Sequence, residues 1–364
     1  MKTPRTSASA PTRRVVIGTS LAALGALSLA ACGGADAESA SGGSSDGGEA
    51  AADYGTLDIN LSWIKNAEFA GEYMAIDRGY FEEAGFSEVN LIAGGPSGTS
   101  SETMVLSGSA IMGTTSPLGV APLIQDEEAP LKIIGTTYQK NPFTIISLGD
   151  AAPIATPADL VGKRIGVQTG VNETLFDGFL SANGIDAAEL EKVPVQYDPQ
   201  PLVNGEVDGF FGYLTNEALT LELAGEDVVN LPLADNGLPF MAESIVVTQE
   251  SIETRRDLLK AALVALIRGW KDAIAEPEEG ARLAVEDHGQ DLGLDMEKET
   301  RQAEEQVALV STDETDANGL LTMSDELMQQ NVDALVAAGY DLAVEDYFDT
   351  SLLEEVYAEN PDLI

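Results

Sequence analysis

What most constrains this chain is a rhythm that runs through its middle and repeats. Leu57-Asp58-Ile59-Asn60-Leu61 alternates apolar and polar side chains, the period of a half-buried strand. Phe69, Tyr73, Ile76 and Tyr80 follow at helical spacing, with Gly79 and Gly85 as punctuation. Residues 89–93 read as the next strand, Gly94-Gly95-Pro96-Ser97-Gly98 as a turn, 99–106 as a helix and 110–113 as a strand. Ser116 can then act as an N-cap with Pro117 in the first helical position. Segments 131–136 and 144–148 are again strand-like. A second unit repeats the pattern. Thr156-Pro157 opens a helix, 164–168 is a strand, and Thr169-Gly170-Val171-Asn172 leads into a helix over about 173–182. Strands at 193–197 and 209–212 follow, with a short helix at 201–204 between them and a helix near Thr215 after them. A strand at 243–248 leads back, and the rest is helical, with Leu259, Leu263, Leu266, Trp270 and Ile274 on one stripe. Strands alternating with helices predict an α/β protein built on mostly parallel sheets. Such sheets bind ligands beyond the carboxyl ends of strands, against helix N-termini.

The first residues address location. Arg13-Arg14 precede an apolar run, 15–31, with the length of a signal-peptide core and too few large side chains for a membrane span. Paired arginines at that place suggest twin-arginine export. The run closes on Leu29-Ala30-Ala31-Cys32-Gly33, which resembles the lipobox of bacterial lipoproteins, so Cys32 is expected to carry lipid and to anchor the protein to the outer face of the cell membrane. Cys32 is the only cysteine, which excludes a disulfide framework and a thiolate metal site. Residues 33–55 are glycine, serine, alanine and acid with almost no large apolar side chain, the composition of a flexible tether. The expected division is a leader at 1–31, lipidated cysteine and tether at 32–56, and a body beginning near Leu57.

Removing the leader leaves roughly 330 residues, enough for two ordinary domains. Four basic residues and no acids lie within 1–31, so the remainder carries 15 basic against 61 acidic groups. That charge argues against nucleic acid or anionic lipid headgroups as partners. It fits a protein kept in solution outside the cell. The single histidine, His288, stands in the acidic stretch Val285-Glu286-Asp287-His288 and reads as surface. With no Cys–His cluster, no metal and no cofactor is expected. A nucleophile–histidine–acid arrangement could be built only through His288, so an enzyme is not expected.

Several stretches together resemble the substrate-binding lipoproteins of ABC importers. They are Trp63-Ile64-Lys65-Asn66-Ala67-Glu68-Phe69-Ala70-Gly71, Ala75-Ile76-Asp77-Arg78-Gly79-Tyr80-Phe81, Asp159-Leu160-Val161-Gly162-Lys163-Arg164-Ile165-Gly166-Val167, Val207-Asp208-Gly209-Phe210 and Gly237-Leu238-Pro239. More narrowly, the chain resembles the group that includes thiamine-pyrimidine-precursor, riboflavin-like, sulfonate and nitrate binders. The resemblance implies a two-lobed periplasmic-binding-protein fold of type II, each lobe a mostly parallel sheet flanked by helices, with ligand held between lobes that close by a hinge. Mapped here, lobe one is 57–146 with 246–364, and lobe two is 147–245. The implied partners are a small-molecule solute, an ABC permease and its ATPase. A monomer is expected. Pyrimidine-synthesising relatives in yeast use histidine and cysteine for iron-dependent self-sacrificing chemistry, and one histidine with no cysteine beyond Cys32 does not suit that activity.

Candidate ligand residues sit at strand–helix junctions. Trp63 continues the alternation of the first strand and is either core or, as the resemblance implies, an aromatic cleft wall. Asn66 either reads a ligand or caps the following helix, and Phe69 is a second candidate ring. Thr114, Thr115 and Ser116 offer hydroxyls and helix N-terminal amides. Tyr138, near the crossover with Gln139 and Asn141, is a candidate second wall. In the other lobe the candidates are Gln168, Thr169, Gly170 and Asn172, then Tyr197, Tyr213 and Asn216, and Glu243 before the return crossover. Tyr73, Tyr80, Phe81 and Phe86 are expected to pack. Rings and amides with few cations, Lys65 and Lys140 being the nearby ones, favour a flat heterocycle such as a thiamine pyrimidine precursor or a flavin-like ring. A sulfonate or nitrate held by helix N-termini is the alternative, an extracellular enzyme on the same fold a weaker one, and a sensor lipoprotein a third.

Overall fold

The computed structural model describes residues 52–151 and 153–364. The leader, Cys32 and most of the tether lie outside them, so the expectations of export and lipidation fall on residues that are not described. Ten strands in two five-stranded sheets organise the rest: β1 Gly55–Asn60, β2 Phe86–Ile92, β3 Met112–Thr115, β4 Leu131–Tyr138, β5 Phe143–Leu148, β6 Arg164–Gln168, β7 Glu191–Val195, β8 Gly209–Tyr213, β9 Val228–Pro232 and β10 Ala242–Thr248. The first sheet runs β2-β1-β3-β10-β4 and the second β7-β6-β8-β5-β9. β1 is parallel to β2 and β3, and β10 is antiparallel to β3 and β4. In the second sheet β6 is parallel to β7 and β8, and β5 is antiparallel to β8 and β9. Each sheet therefore holds one antiparallel member, and that member is the strand on which the chain has just arrived from the other sheet.

The crossings fall a few residues from where the sequence placed them. β5 belongs wholly to the second sheet and β10 wholly to the first. The chain changes sheet between Tyr138 and Phe143, and returns between Pro232 and Ala242. Residues 143–146 thus belong with the second sheet and 242–245 with the first. Apolar pattern alone does not say which sheet a strand pairs with; the ladders do. β9 has no counterpart in the sequence reading, since its five residues are followed at once by turn chemistry and end on Pro232. The helix expected near Thr215 is a π-type turn, Leu214–Ala218, before the helix Leu219–Leu223.

Packing fixes the segment that leads into the site. The helix Arg256–Ala275 buries Leu259, Leu263, Leu266 and Trp270 and packs along the helix Ala70–Asp77. The two approach so closely that a Cβ on Gly71 would lie 2.3 Å from the Trp270 ring. Just upstream, Asn66 Oδ1 accepts from the Glu68 backbone N–H at 3.1 Å and caps the 3-10 turn Ala67–Phe69. The C-terminal helix Met296–Val310 clamps that turn. The Ala67 N–H donates to Glu299 Oε2 at 2.7 Å, and Gln306 Nε2 donates to the Ala67 carbonyl at 2.9 Å. His288 is a correction to the sequence reading. It is half-buried, its ring stacked 4.2 Å from that of Tyr73, and burial beside Lys65 lowers its pKa.

Candidate functional site

The carboxyl ends of β1, β3, β6 and β8 and the start of β10 converge on one cavity of about 220 Å³. Ser62 and Trp63 leave β1, and Thr114, Thr115 and Ser116 leave β3. The Ser62 N–H donates to Thr114 Oγ1 at 2.9 Å, which ties these two strand ends together. From the second sheet come Gln168, Thr169, Gly170 and Asn172 after β6, and Tyr213, Asn216 and Glu217 after β8. Gly170 has φ +89°, a left-handed-region value that a side chain would strain, and it turns the chain into the helix Val171–Ala182. Glu243 lines the cavity from the second position of the return strand β10.

Eleven of the fifteen sequence candidates therefore border the same space: Trp63, Thr114, Thr115, Ser116, Gln168, Thr169, Gly170, Asn172, Tyr213, Asn216 and Glu243. Four do not. Phe69 is 1% exposed and belongs to the core, because the helical stripe it starts faces the Arg256 helix. Tyr138 is fully buried, and its hydroxyl donates to Gln306 Oε1 at 2.6 Å. Asn66 is buried as the cap described above. Tyr197 lies past the end of β7, 41% exposed and away from the cavity. Among those that do border the cavity, some polar groups are already engaged. Asn172 Nδ2 donates to Gln168 Oε1 at 3.0 Å, and Gln168 Nε2 to the Phe211 carbonyl at 3.0 Å. Asn216 Oδ1 accepts from Lys298 Nζ. Ser116 occupies the N-cap position of the helix Pro117–Glu127, yet its hydroxyl makes no cap bond and has no partner at all.

What the sequence missed is a set of buried carboxyls. Glu68 from the 3-10 turn, Glu102 from the helix Ser101–Leu106 and Glu217 from the π-type turn line the cavity together with Glu243, all 5% exposed or less. Glu243 is bonded from both sheets: Ser62 Oγ donates to its Oε2 at 2.6 Å and Tyr213 OH to its Oε1 at 3.0 Å. Its backbone has φ +50°, uncommon for a residue with a side chain and strained by about 1 kcal/mol. Glu217 Oε2 accepts from the Tyr213 N–H at 2.8 Å and Oε1 from Asn216 Nδ2 at 2.9 Å. Glu102 accepts from Thr115 Oγ1. Burial raises the pKa of Glu68, and the adjacent Glu243 and Glu217 raise it further. Burial lifts Glu217 to about 7, with the Tyr213 amide and Lys298 opposing it. Glu243 is also raised by burial, against the lowering effect of its hydrogen bonds. Lys298 is the cation behind this wall, and its ammonium is held by Asn216, by Glu299 Oε1 at 3.0 Å and by Gln302 Oε1 at 2.5 Å.

Three rings complete the lining. Trp63 comes from the first sheet, and Phe143 and Tyr213, packed edge-to-face at 4.4 Å between centroids, from the second. The Trp63 indole N–H is buried and has no partner. Phe143 was readable only once its strand was assigned to the second sheet. Glu217 had a signal: it stands four residues after Tyr213 at a junction already singled out.

The comparisons with known proteins agree with one another. The chain is 24% identical over 234 residues to the formylaminopyrimidine-binding protein of Halalkalibacterium halodurans, covering 63% of this chain and 70% of that one. It is 27% identical over 237 residues to the riboflavin-binding protein RibY of Chloroflexus aurantiacus, covering 63% of this chain and 65% of that one. A solved structure from Bordetella bronchiseptica RB50 superposes with a TM-score of 0.68 at 16% identity, over 84% of this chain and 98% of that one, a likeness of fold. The NMT1/THI5-like family model matches residues 66–280, more than half of the sequence, and the chain belongs to that family.

Proposed function

We propose that this protein is the solute-binding component of an ABC importer, and that its cleft takes a small flat heterocycle bearing hydrogen-bond donors, of the thiamine-pyrimidine-precursor class. One observation carries the reading: the cavity wall holds four carboxyls and three aromatic rings, and no lysine, arginine or histidine. Rings supply stacking area at low entropic cost. Carboxyls accept from ring amino groups with charge-assisted hydrogen bonds. A formylaminopyrimidine-binding relative supports the same class.

The same wall disfavours the sulfonate or nitrate alternative. An anion among Glu68, Glu217 and Glu243 finds no cation in the wall and meets like charge wherever one of these acids ionises. The amides of the helices Pro117–Glu127 and Val171–Ala182 offset it only in part. A flavin-like solute has the support of the riboflavin-binding relative. The cavity, about 220 Å³, lies below the usual range of roughly 300–1,000 Å³ for drug-sized ligands and favours one ring over three. A nucleophile–histidine–acid enzyme has no histidine at the cavity, since His288 stacks on Tyr73 and does not border it. Export by the twin-arginine route, lipid anchoring through Cys32 at the outer membrane face, a monomeric state and delivery to a permease and its ATPase complete the proposal, on the sequence features given above.

The test is a thermal-shift panel of 4-amino-5-hydroxymethyl-2-methylpyrimidine, its formylamino counterpart, riboflavin, taurine and nitrate. A ligand that binds only the native state raises the melting temperature once it exceeds its Kd. A shift with an aminopyrimidine and none with taurine or nitrate is expected. A shift confined to the anions refutes the reading.

A further inference from the structure

Glu68 differs from the other carboxyls of the cleft in what it touches. Glu102, Glu217 and Glu243 each accept from protein donors, whereas the side chain of Glu68 accepts from none and has the Glu243 carboxyl as its strongest-acting charged neighbour. Both Glu243 oxygens already accept, from Ser62 Oγ and Tyr213 OH, so a proton on the pair is best placed on Glu68, whose ionisation burial and Glu243 both oppose. Two carboxyls lining one buried cavity oppose each other's ionisation. The groups packed around the pair come from several elements. Glu72 lies one turn behind on the helix Ala70–Asp77, Glu217 and Tyr213 stand across the cavity, Tyr138 lies beneath on β4, and Lys298 and Glu299 approach from the Met296 helix. Lys298 is the one cation of this set, and its ammonium is committed to Asn216, Glu299 and Gln302. A separate observation points to an absent ligand: Ser116 Oγ, on a residue 6% exposed, and the buried Trp63 N–H both belong to cavity-lining residues and have no partner in the protein.

We propose that the Glu68–Glu243 pair makes the cleft selective for a solute that carries a positive charge, and that the bound cation replaces the proton the two carboxyls share. The inference rests on the heterocycle reading above and narrows it, from any flat ring with donors to an amidine- or amine-bearing ring bound as its cation. The exchange balances. One O–H bond on Glu68 breaks, its proton leaves to solvent, and two carboxylates remain facing one amidinium or ammonium. The cation supplies donors to the Glu68 oxygens, which have none from the protein, and cancels the repulsion that forced the proton on.

The test uses the purified full chain and a near-isosteric probe pair, benzamidine, cationic throughout the neutral range, and benzamide, which is neutral. Titration calorimetry is run at pH 7.5 in phosphate and in Tris, whose ionisation heats differ widely. 4-Amino-5-hydroxymethyl-2-methylpyrimidine is the reference ligand. Benzamidine is expected to bind about 10- to 100-fold more tightly than benzamide, the range of a charge-assisted contact. Its heat should differ between buffers by the release of about one proton, and its affinity should fall about tenfold per unit of pH as the medium is acidified. Glu68→Gln should abolish the buffer difference and bring benzamidine down toward benzamide, with an unchanged cooperative melt showing that the variant is folded. If the pyrimidine binds but benzamidine is no better than benzamide, or releases no proton from the wild-type chain, the inference is overturned and the heterocycle reading stands. If neither the pyrimidine nor benzamidine binds, both fall.

Discussion

Replacing Glu217 by Gln should change the stability of the ligand-free protein with opposite sign at the two ends of a moderate pH range. Glu217 is 4% exposed, and its carboxyl titrates near 7 in the fold against 4.5 in the unfolded chain. The folded value is the higher one, so unfolding releases a proton between those limits. Stability therefore falls as pH rises from about 4.5 to about 7 and is flat on either side. At about 1.4 kcal/mol per unit, the ionised Glu217 costs the wild-type fold about 3 kcal/mol at pH 8 and nothing at pH 4. Glutamine never ionises. It can still accept from the Tyr213 N–H, but its amide nitrogen faces Asn216 Nδ2, a donor, so one of the two accepted bonds is lost at a cost of about 1 kcal/mol. The variant should be about 1 kcal/mol less stable than wild type at pH 4 and about 2 kcal/mol more stable at pH 8. For a body of this size that is a melting temperature about 2 °C lower at pH 4 and about 4 °C higher at pH 8. Thermal melts of both proteins without ligand read the difference, because titrating groups not coupled to Glu217 cancel. A constant offset at the two pH values, or a variant less stable at pH 8, would refute the account of Glu217 as a buried acid held against its own desolvation.

Trp63→Ala should weaken an aminopyrimidine by about 10- to 100-fold through lost stacking, read by titration calorimetry; unchanged affinity removes Trp63 from the cleft wall. Tyr138→Phe breaks the bond to Gln306 in the core and should cost about 1 kcal/mol of stability with ligand affinity intact. A loss of affinity instead would return Tyr138 to the site. Gly71→Ala places a methyl against the Trp270 indole and should cost about 2–3 kcal/mol, seen as a lower urea midpoint at unchanged slope.

The strand–helix junctions were legible because they rest on local chemistry. Apolar alternation marks β1, the Ser116-Pro117 pair marks a helix start, and Gly170 marks a left-handed turn, each within a few residues. Periodicity says that one face of a helix is apolar, but not what covers that face. Phe69 and Tyr138 were therefore ambiguous. Whether each faces a ligand or another helix depends on the Arg256 and Met296 helices, which return from far along the chain. The buried acids were illegible for the same reason. In a chain with 61 acidic residues, a glutamate on an amphipathic segment reads as solvated surface. Glu68 is buried because Glu299 and Gln306, more than 200 positions downstream, bind the backbone of Ala67 beside it.

Those acids also set stability against binding at the same atoms. At pH 8 the floor of the cleft would be steadier with a glutamine at 217, burial also opposes ionisation of Glu68, and Glu243 adds a left-handed backbone to its desolvation. Nothing in the packing of either sheet requires a carboxyl at those places, since β1, β3, β6 and β8 are joined by their own ladders and the Lys298 ammonium is satisfied by Asn216, Glu299 and Gln302. Strain that the fold does not need is concentrated where the two sheets meet, as expected of a surface shaped for another molecule. Glu243 accepts at once from Ser62 of the first sheet and Tyr213 of the second. A cation that settles on the Glu68–Glu243 pair thereby also relieves the one residue that bridges the lobes, so that binding and the joining of the two lobes draw on the same carboxylate.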